Sequence, residues 1–156
     1  MLILNETQTL FNVPELTAKW SRKPTPMKDN NKILSSRDAF DIMFNIYPEI
    51  DLYESFWVML LSRNNFVKGI SNISIGSAAG TVADPKKIFQ TALLAHSHAV
   101  ILIHNHPSGN TMPSKEDMNI TQKCKNAGMF LELPVLDHLI ITPQGTYYSF
   151  ADEGNL

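Results

Sequence analysis

Two histidines two residues apart, His104 and His106, close the apolar run Ala99-Val100-Ile101-Leu102-Ile103, and Asp117 follows eleven residues after the second. Side chains alternate across an extended strand, so His104 and His106 point to one side and both imidazoles can reach a single ion. Asp117 supplies a third ligand if the chain folds back. Three nitrogen and oxygen ligands leave a fourth tetrahedral position for water, which distinguishes a catalytic zinc site from a closed structural one.

The intervening residues provide for that return. Pro107, Ser108, Gly109, Asn110 and Pro113 are turn formers, so the strand cannot continue and the chain reverses. Ser114 reads as a helix N-cap with Asp117 in the capping-box position three residues on. Ile120, Cys124 and Ala127 fall at i, i+4 and i+7 to give this helix one buried stripe, and Gly128 is the expected C-terminal stop. A His-x-His pair alone is more often two solvated loop residues, and an acid in a first turn more often only complements the helix dipole. Strand, turn and capped acidic helix in succession favour the metal reading.

These residues carry a resemblance. His104-x-His106-Pro107 followed by Ser114-x-x-Asp117 resembles the JAMM signature of JAB/MPN metalloprotease domains. The fuller wording, His104-Asn105-His106-Pro107-Ser108-Gly109 and then Pro113-Ser114-x-x-Asp117, is similar to the bacterial RadC branch. Leu136-Asp137-His138-Leu139-Ile140-Ile141 and Tyr148 to Gly154 also resemble the end of RadC-like domains, and the likeness runs from about Ser35 to the C-terminus. It implies a domain at 35–156, an extension with an edge strand at 1–34, and a short form without the helix-hairpin-helix module of longer members.

The resemblance implies the chemistry as well. Its general base is a glutamate on an earlier strand, and Glu54 opens the apolar segment Glu54-Ser55-Phe56-Trp57-Val58-Met59-Leu60-Leu61 in the matching Glu-x-Phe-x-Val pattern. Glu49 and Asp51 do not fit it, although residues alone leave Glu54 equally readable as a solvated acid. Zinc, one ion per chain, would lower the pKa of its water from about 16 toward about 7, with Glu54 taking the proton. The oxyanion donor implied is Ser114, which is also the expected helix cap; oxyanion donor, cap or both remain open at this point. The reaction class is hydrolysis of an amide or isopeptide bond.

Composition bounds this reading. A chain of 156 residues, 44% of them hydrophobic, suits one folded domain. Met1-Leu2-Ile3-Leu4-Asn5-Glu6 lacks the basic start and apolar length of a secretion signal, and nothing later approaches a membrane span. One cysteine, Cys124, on a buried stripe fits a reduced cytoplasmic setting. The net charge of −2 argues against a sequence-independent grip on nucleic acid. Arg22, Lys23, Lys28 and Lys32 gather near Pro24 and Pro26, where a solvated linker is the simpler explanation. The partners expected are therefore a peptide or protein-conjugate substrate, with homo-oligomerisation open, no membrane, and only weak support for nucleic acid.

The remaining elements are expected as follows. Leu16, Ala18 and Trp20 alternate as a first strand; Ser35 and Asp38 cap a helix through Ala39, Phe40, Met43, Phe44 and Tyr47 that Pro48 ends. The Glu54 strand turns through Ser62-Arg63-Asn64-Asn65 into a second strand from Phe66 to Ile75. Asp84-Pro85 opens a helix with Ile88, Phe89, Ala92 and Leu93 on its apolar face. Leu139 to Thr142 and Thr146 to Phe150 form a last hairpin about Pro143-Gln144-Gly145. The fold class is α/β of the α+β type, a mixed and mostly antiparallel sheet flanked by helices, for which the resemblance implies the cytidine-deaminase-like JAB/MPN architecture.

Other candidates are weaker. His96-Ser97-His98 repeats the spacing at an expected helix C-terminus, where histidine suits the dipole. Gly76-Ser77-Ala78-Ala79-Gly80 lacks the Gly-Lys-Ser/Thr of a phosphate loop, so Ser77 is kept only as a cleft residue. Asp137 and His138 are candidates to orient the metal ligands from outside. Two classes of function follow: a zinc hydrolase, and a non-enzymatic or DNA-repair-associated module that keeps a metal site for stability.

Overall fold

The computed structural model describes residues 31–76 and 83–156. The expected strand at Leu16, Ala18 and Trp20, the basic residues Arg22, Lys23 and Lys28, and Ser77 lie outside the described residues. Among the described residues, three helices and five strands follow in the order α1 (Ser36–Phe44), β1 (Ser55–Leu61), β2 (Val67–Ile75), α2 (Pro85–Leu94), β3 (Ala99–Asn105), α3 (Lys115–Phe130), β4 (Val135–Ile141) and β5 (Tyr147–Ser149). The strands form one sheet in the order β2-β1-β3-β4-β5. All neighbouring pairs are antiparallel except β3 and β4, which α3 joins as a parallel crossover.

Alternation along the central strands divides the core into two layers. Phe56, Val58, Leu60, Val100 and Leu102 pack with Ile88, Phe89 and Ala92 of α2 and Cys124 of α3. On the other face Met59, Leu61, Ile101, Ile103, Leu139 and Ile141 meet Ala39, Phe40 and Met43 of α1. β1 and β3 are thus covered on both sides, which is why they read as unbroken apolar runs. Each fully buried aliphatic side chain among them contributes about 1.5–3 kcal/mol.

Local signals set the helix starts. Ser35 and Asp38 form a complete capping box on α1, and Asp84 caps α2 with Pro85 at its first position. α1, however, ends at Phe44 rather than continuing through Tyr47. The chain turns there because Tyr47 is drawn under the sheet, its hydroxyl 2.7 Å from the Ser55 carbonyl and 2.8 Å from Asn105 Oδ1.

α3 also departs from expectation, running past Gly128 to Phe130. Gly128 is buried within the helix, and a Cβ built there would lie 2.5 Å from the Leu133 carbonyl oxygen. Its role is close approach of the returning chain, not termination. The buried positions of α3 are Thr121, Cys124 and Gly128, with Ile120 and Ala127 packed at the margin. β3 is longer than its apolar run: His104 and Asn105 lie within the ladder, paired with Ile140 and Ile141 of β4.

Candidate metal centre

His104 and His106 leave the sheet on the α3 side, and the turn that follows carries the chain back to α3. The turn is closed by Gly109, whose backbone φ of 81° is readily adopted only by glycine and whose amide donates to the His106 carbonyl. Ser114 then caps α3: its hydroxyl accepts from the Asp117 amide at 3.1 Å and donates to Asp117 Oδ2 at 2.7 Å. The Ser114 amide donates to the same oxygen at 2.7 Å. In this structure Ser114 is therefore the helix cap, and it holds Oδ2 of the carboxylate while Oδ1 faces His104.

Three donor atoms converge. His104 Nε2 lies 3.0 Å from His106 Nε2 and 3.1 Å from Asp117 Oδ1, and His106 Nε2 lies 3.6 Å from Asp117 Oδ2. One ligand atom from each residue falls within 4.8 Å of the others, the only such group of histidine, cysteine or acid side chains among the described residues. Tetrahedral zinc with bonds of about 2.0–2.1 Å needs ligand atoms about 3.3 Å apart. The separations straddle that value, and the nitrogen–nitrogen–oxygen set suits zinc.

Both histidines are anchored by their other nitrogen. His106 Nδ1 lies 2.7 Å from the Asn110 carbonyl and His104 Nδ1 lies 2.9 Å from His138 Nε2. A ring N–H donated to the carbonyl leaves His106 Nε2 free to bind an ion. Phe56, opposite His104 in β1, stacks on its ring at 5.7 Å and 9°.

The electrostatics favour a cation. Burial works to raise the Asp117 pKa, but hydrogen bonds from His104, His106 and Ser114 hold it well below the usual carboxylate range. Burial lowers that of His106, yet Asp117, the Asn110 carbonyl and the charge of Glu54 together raise it. Glu54 itself is half-buried, immediately before β1, with its carbonyl accepting from the Gly76 amide.

The structure separates the other candidates. His138 is fully buried beside His104, whereas Asp137 faces away and accepts from Ser149 Oγ at 2.7 Å and the Ala151 amide at 3.0 Å. Burial raises the Asp137 pKa despite those bonds. Instead of orienting the metal ligands, the Asp137 side chain ties the C-terminal turn to β4, accepting also from the His138 amide at 2.7 Å. His96 and His98 are exposed at the end of α2 and belong to no metal-holding group among the described residues.

Asn105 was not singled out by sequence, although it stands between the two histidines. Its side chain points to the opposite face and is fully buried. Oδ1 accepts from the Ser55 amide at 2.8 Å, and Nδ2 donates to the Ile50 and Tyr53 carbonyls at 2.7 and 2.9 Å. The strand that offers the histidines thereby also clamps the loop that carries Glu54. An asparagine inside an otherwise apolar strand is the signal that could have revealed it, because buried amides require partners.

A five-stranded mixed sheet between helices, with His-x-His at a strand end and an acid on the next helix, defines a JAB/MPN-type domain with a potential metal site. The RadC-like JAB domain family matches residues 33–155, and the chain belongs to that family. It is similar to a UPF0758 protein of Flavobacterium johnsoniae, 47% identical over 123 residues that cover 79% of this chain and 53% of that protein. A UPF0758 protein of Porphyromonas gingivalis is 34% identical over 148 residues, 95% of this chain and 64% of its own length. One of Methanosarcina barkeri is 38% identical over 125 residues, 79% and 53%. The chain therefore spans between half and two thirds of the length of these relatives. No helix among the described residues is long and apolar enough to cross a membrane.

Proposed function

We propose that the chain is a zinc-dependent hydrolase of amide or isopeptide bonds acting on a peptide or protein conjugate in the cytoplasm. The observation that carries this reading is the convergence of His104 Nε2, His106 Nε2 and an Asp117 oxygen at spacings suited to zinc, with the charge of Glu54 among the causes that raise the His106 pKa. Bound zinc would supply a water acidified to near neutral pH and a Lewis acid for the scissile carbonyl.

The chain's own residues would do the rest. His104, His106 and Asp117 would hold the ion. Glu54 takes a proton from the attacking water and returns it to the leaving nitrogen as the carbon–nitrogen bond breaks. Ser114 sits exposed at the rim; rotation of its hydroxyl from Asp117 toward the substrate would offer a donor to the developing oxyanion.

The test is turnover of peptide and isopeptide-conjugate libraries by zinc-loaded protein, wild type against Glu54→Gln. The expected result is cleavage by wild type and a loss of at least about 100-fold in the variant at unchanged zinc content. Stoichiometric zinc with no substrate cleaved, or turnover that survives Glu54→Gln, overturns the reading in favour of a module whose metal site is structural.

A further inference from the structure

His104 turns its Nε2 toward the metal centre and its Nδ1 inward, 2.9 Å from Nε2 of His138. The second nitrogen of His138, Nδ1, lies 2.6 Å from Thr121 Oγ1. Thr121 stands one helical turn after Asp117 and donates its hydroxyl proton to the Asp117 main-chain carbonyl at 2.6 Å. Three side chains and one carbonyl thus form a circuit that begins and ends on proposed metal ligands.

One assignment of protons satisfies every contact in this circuit. A carbonyl only accepts, so the single Thr121 proton is committed to Asp117. Thr121 Oγ1 must then accept from His138 Nδ1–H. His138 is fully buried, with Phe150 stacked at 4.7 Å and Phe56 at 5.4 Å, and neither of its ring nitrogens meets a carboxylate. With its ring proton on Nδ1, its Nε2 is the acceptor and His104 Nδ1 is the donor. That leaves the lone pair of His104 on Nε2, the tautomer a metal ligand requires. Thr121 and His104 are each 2% exposed, so water offers no alternative partner.

We infer that Thr121, in the second turn of α3, and His138, on β4, are positioning residues that set the tautomer and ring orientation of His104. The circuit couples the two elements that carry the ligands: the carbonyl of Asp117 fixes the proton that points His104 at the ion. Thr121 and His138 touch neither ion nor substrate. The inference rests on the reading that the triad holds a divalent metal, and it concerns affinity rather than turnover.

The experiment measures Zn²⁺ affinity of the full chain by competition with a chromophoric chelator, for wild type, Thr121→Val and Thr121→Ser. Valine keeps the shape and loses the hydroxyl; serine keeps the hydroxyl. Thr121→Val is expected to bind Zn²⁺ about tenfold more weakly, with Thr121→Ser close to wild type. In parallel, imidazole ¹⁵N spectra of wild type should show His104 protonated at Nδ1, with a coupling across the hydrogen bond to His138 Nε2. That second readout holds even if Thr121→Val fails to fold. Wild-type affinity in Thr121→Val, equal weakening in both variants, or His104 protonated at Nε2 in the zinc-loaded protein overturns the inference. Failure of wild type itself to bind Zn²⁺ would instead overturn the proposed metal centre on which it stands.

Discussion

Replacing Asn105 by alanine tests how the sheet holds the loop that carries Glu54. The substitution removes the acceptor for the Ser55 amide and the two donors to Ile50 and Tyr53. Ser55 is 3% exposed, so its N–H loses its partner where water cannot replace it, at about 1–3 kcal/mol. The two carbonyls are partly reached by solvent, and each lost bond there costs about 0.5 kcal/mol. Tyr47 keeps the Ser55 carbonyl as an acceptor and adds little. A destabilisation of about 3 kcal/mol follows, read as a lower urea midpoint at unchanged slope. Asn105→Asp should be worse, because it sets a buried carboxylate against two carbonyls. Asn105 faces away from the histidines, so zinc affinity should fall less than hydrolytic turnover. A loss below about 0.5 kcal/mol for Asn105→Ala, within the range of ordinary surface substitutions, would refute the clamp. So would a variant that loses zinc but keeps its stability.

Three further outcomes follow from named contacts. Ser114→Ala removes the cap of α3 and the donor to Asp117, and should lower stability by about 1 kcal/mol while cutting turnover by about 100-fold; thermal melts and kinetics check the two effects separately. Gly128→Ala forces a methyl group against the Leu133 carbonyl at 2.5 Å, so a loss of about 2 kcal/mol is expected by chemical denaturation, and an unchanged midpoint would show that the α3–β4 turn yields. Burial pushes the Cys124 thiol from 9.0 up to about 12. A group whose pKa is raised on folding gives stability that is complete below the unfolded value and lost as pH rises through the folded one. Wild type should therefore lose about 2 kcal/mol more than Cys124→Ala between pH 8 and 10.5, and parallel pH profiles of the two would contradict this.

The parts of the centre legible in sequence are those that local rules control. Strand alternation places His104 and His106 together, and the Ser114–Asp117 capping box brings the acid into a first turn, both within a short stretch of chain. The starts of α1 and α2 were likewise visible in Ser35-x-x-Asp38 and Asp84-Pro85. Long-range polar pairing was not legible. Thr121 reads as an ordinary helix residue until β4 sets His138 against it, and Asn105 reads as part of a turn motif until Tyr47 and Ser55 arrive beneath the sheet. Tyr47 ended α1 early for the same reason. Gly128 misled because glycine serves both as a helix stop and as a point of close approach, and only the path of Leu133 distinguishes them. Asp137 and His138 are adjacent in sequence but face opposite sides of β4, so only His138 reaches the centre.

The central claim is that His104, His106 and Asp117 form one zinc site. Elemental analysis of the purified full chain, wild type against His106→Ala and Asp117→Ala, tests it most directly. One zinc per wild-type chain and little or none in either variant is the predicted result. Wild type without stoichiometric zinc, or variants that retain it in full, would contradict the account.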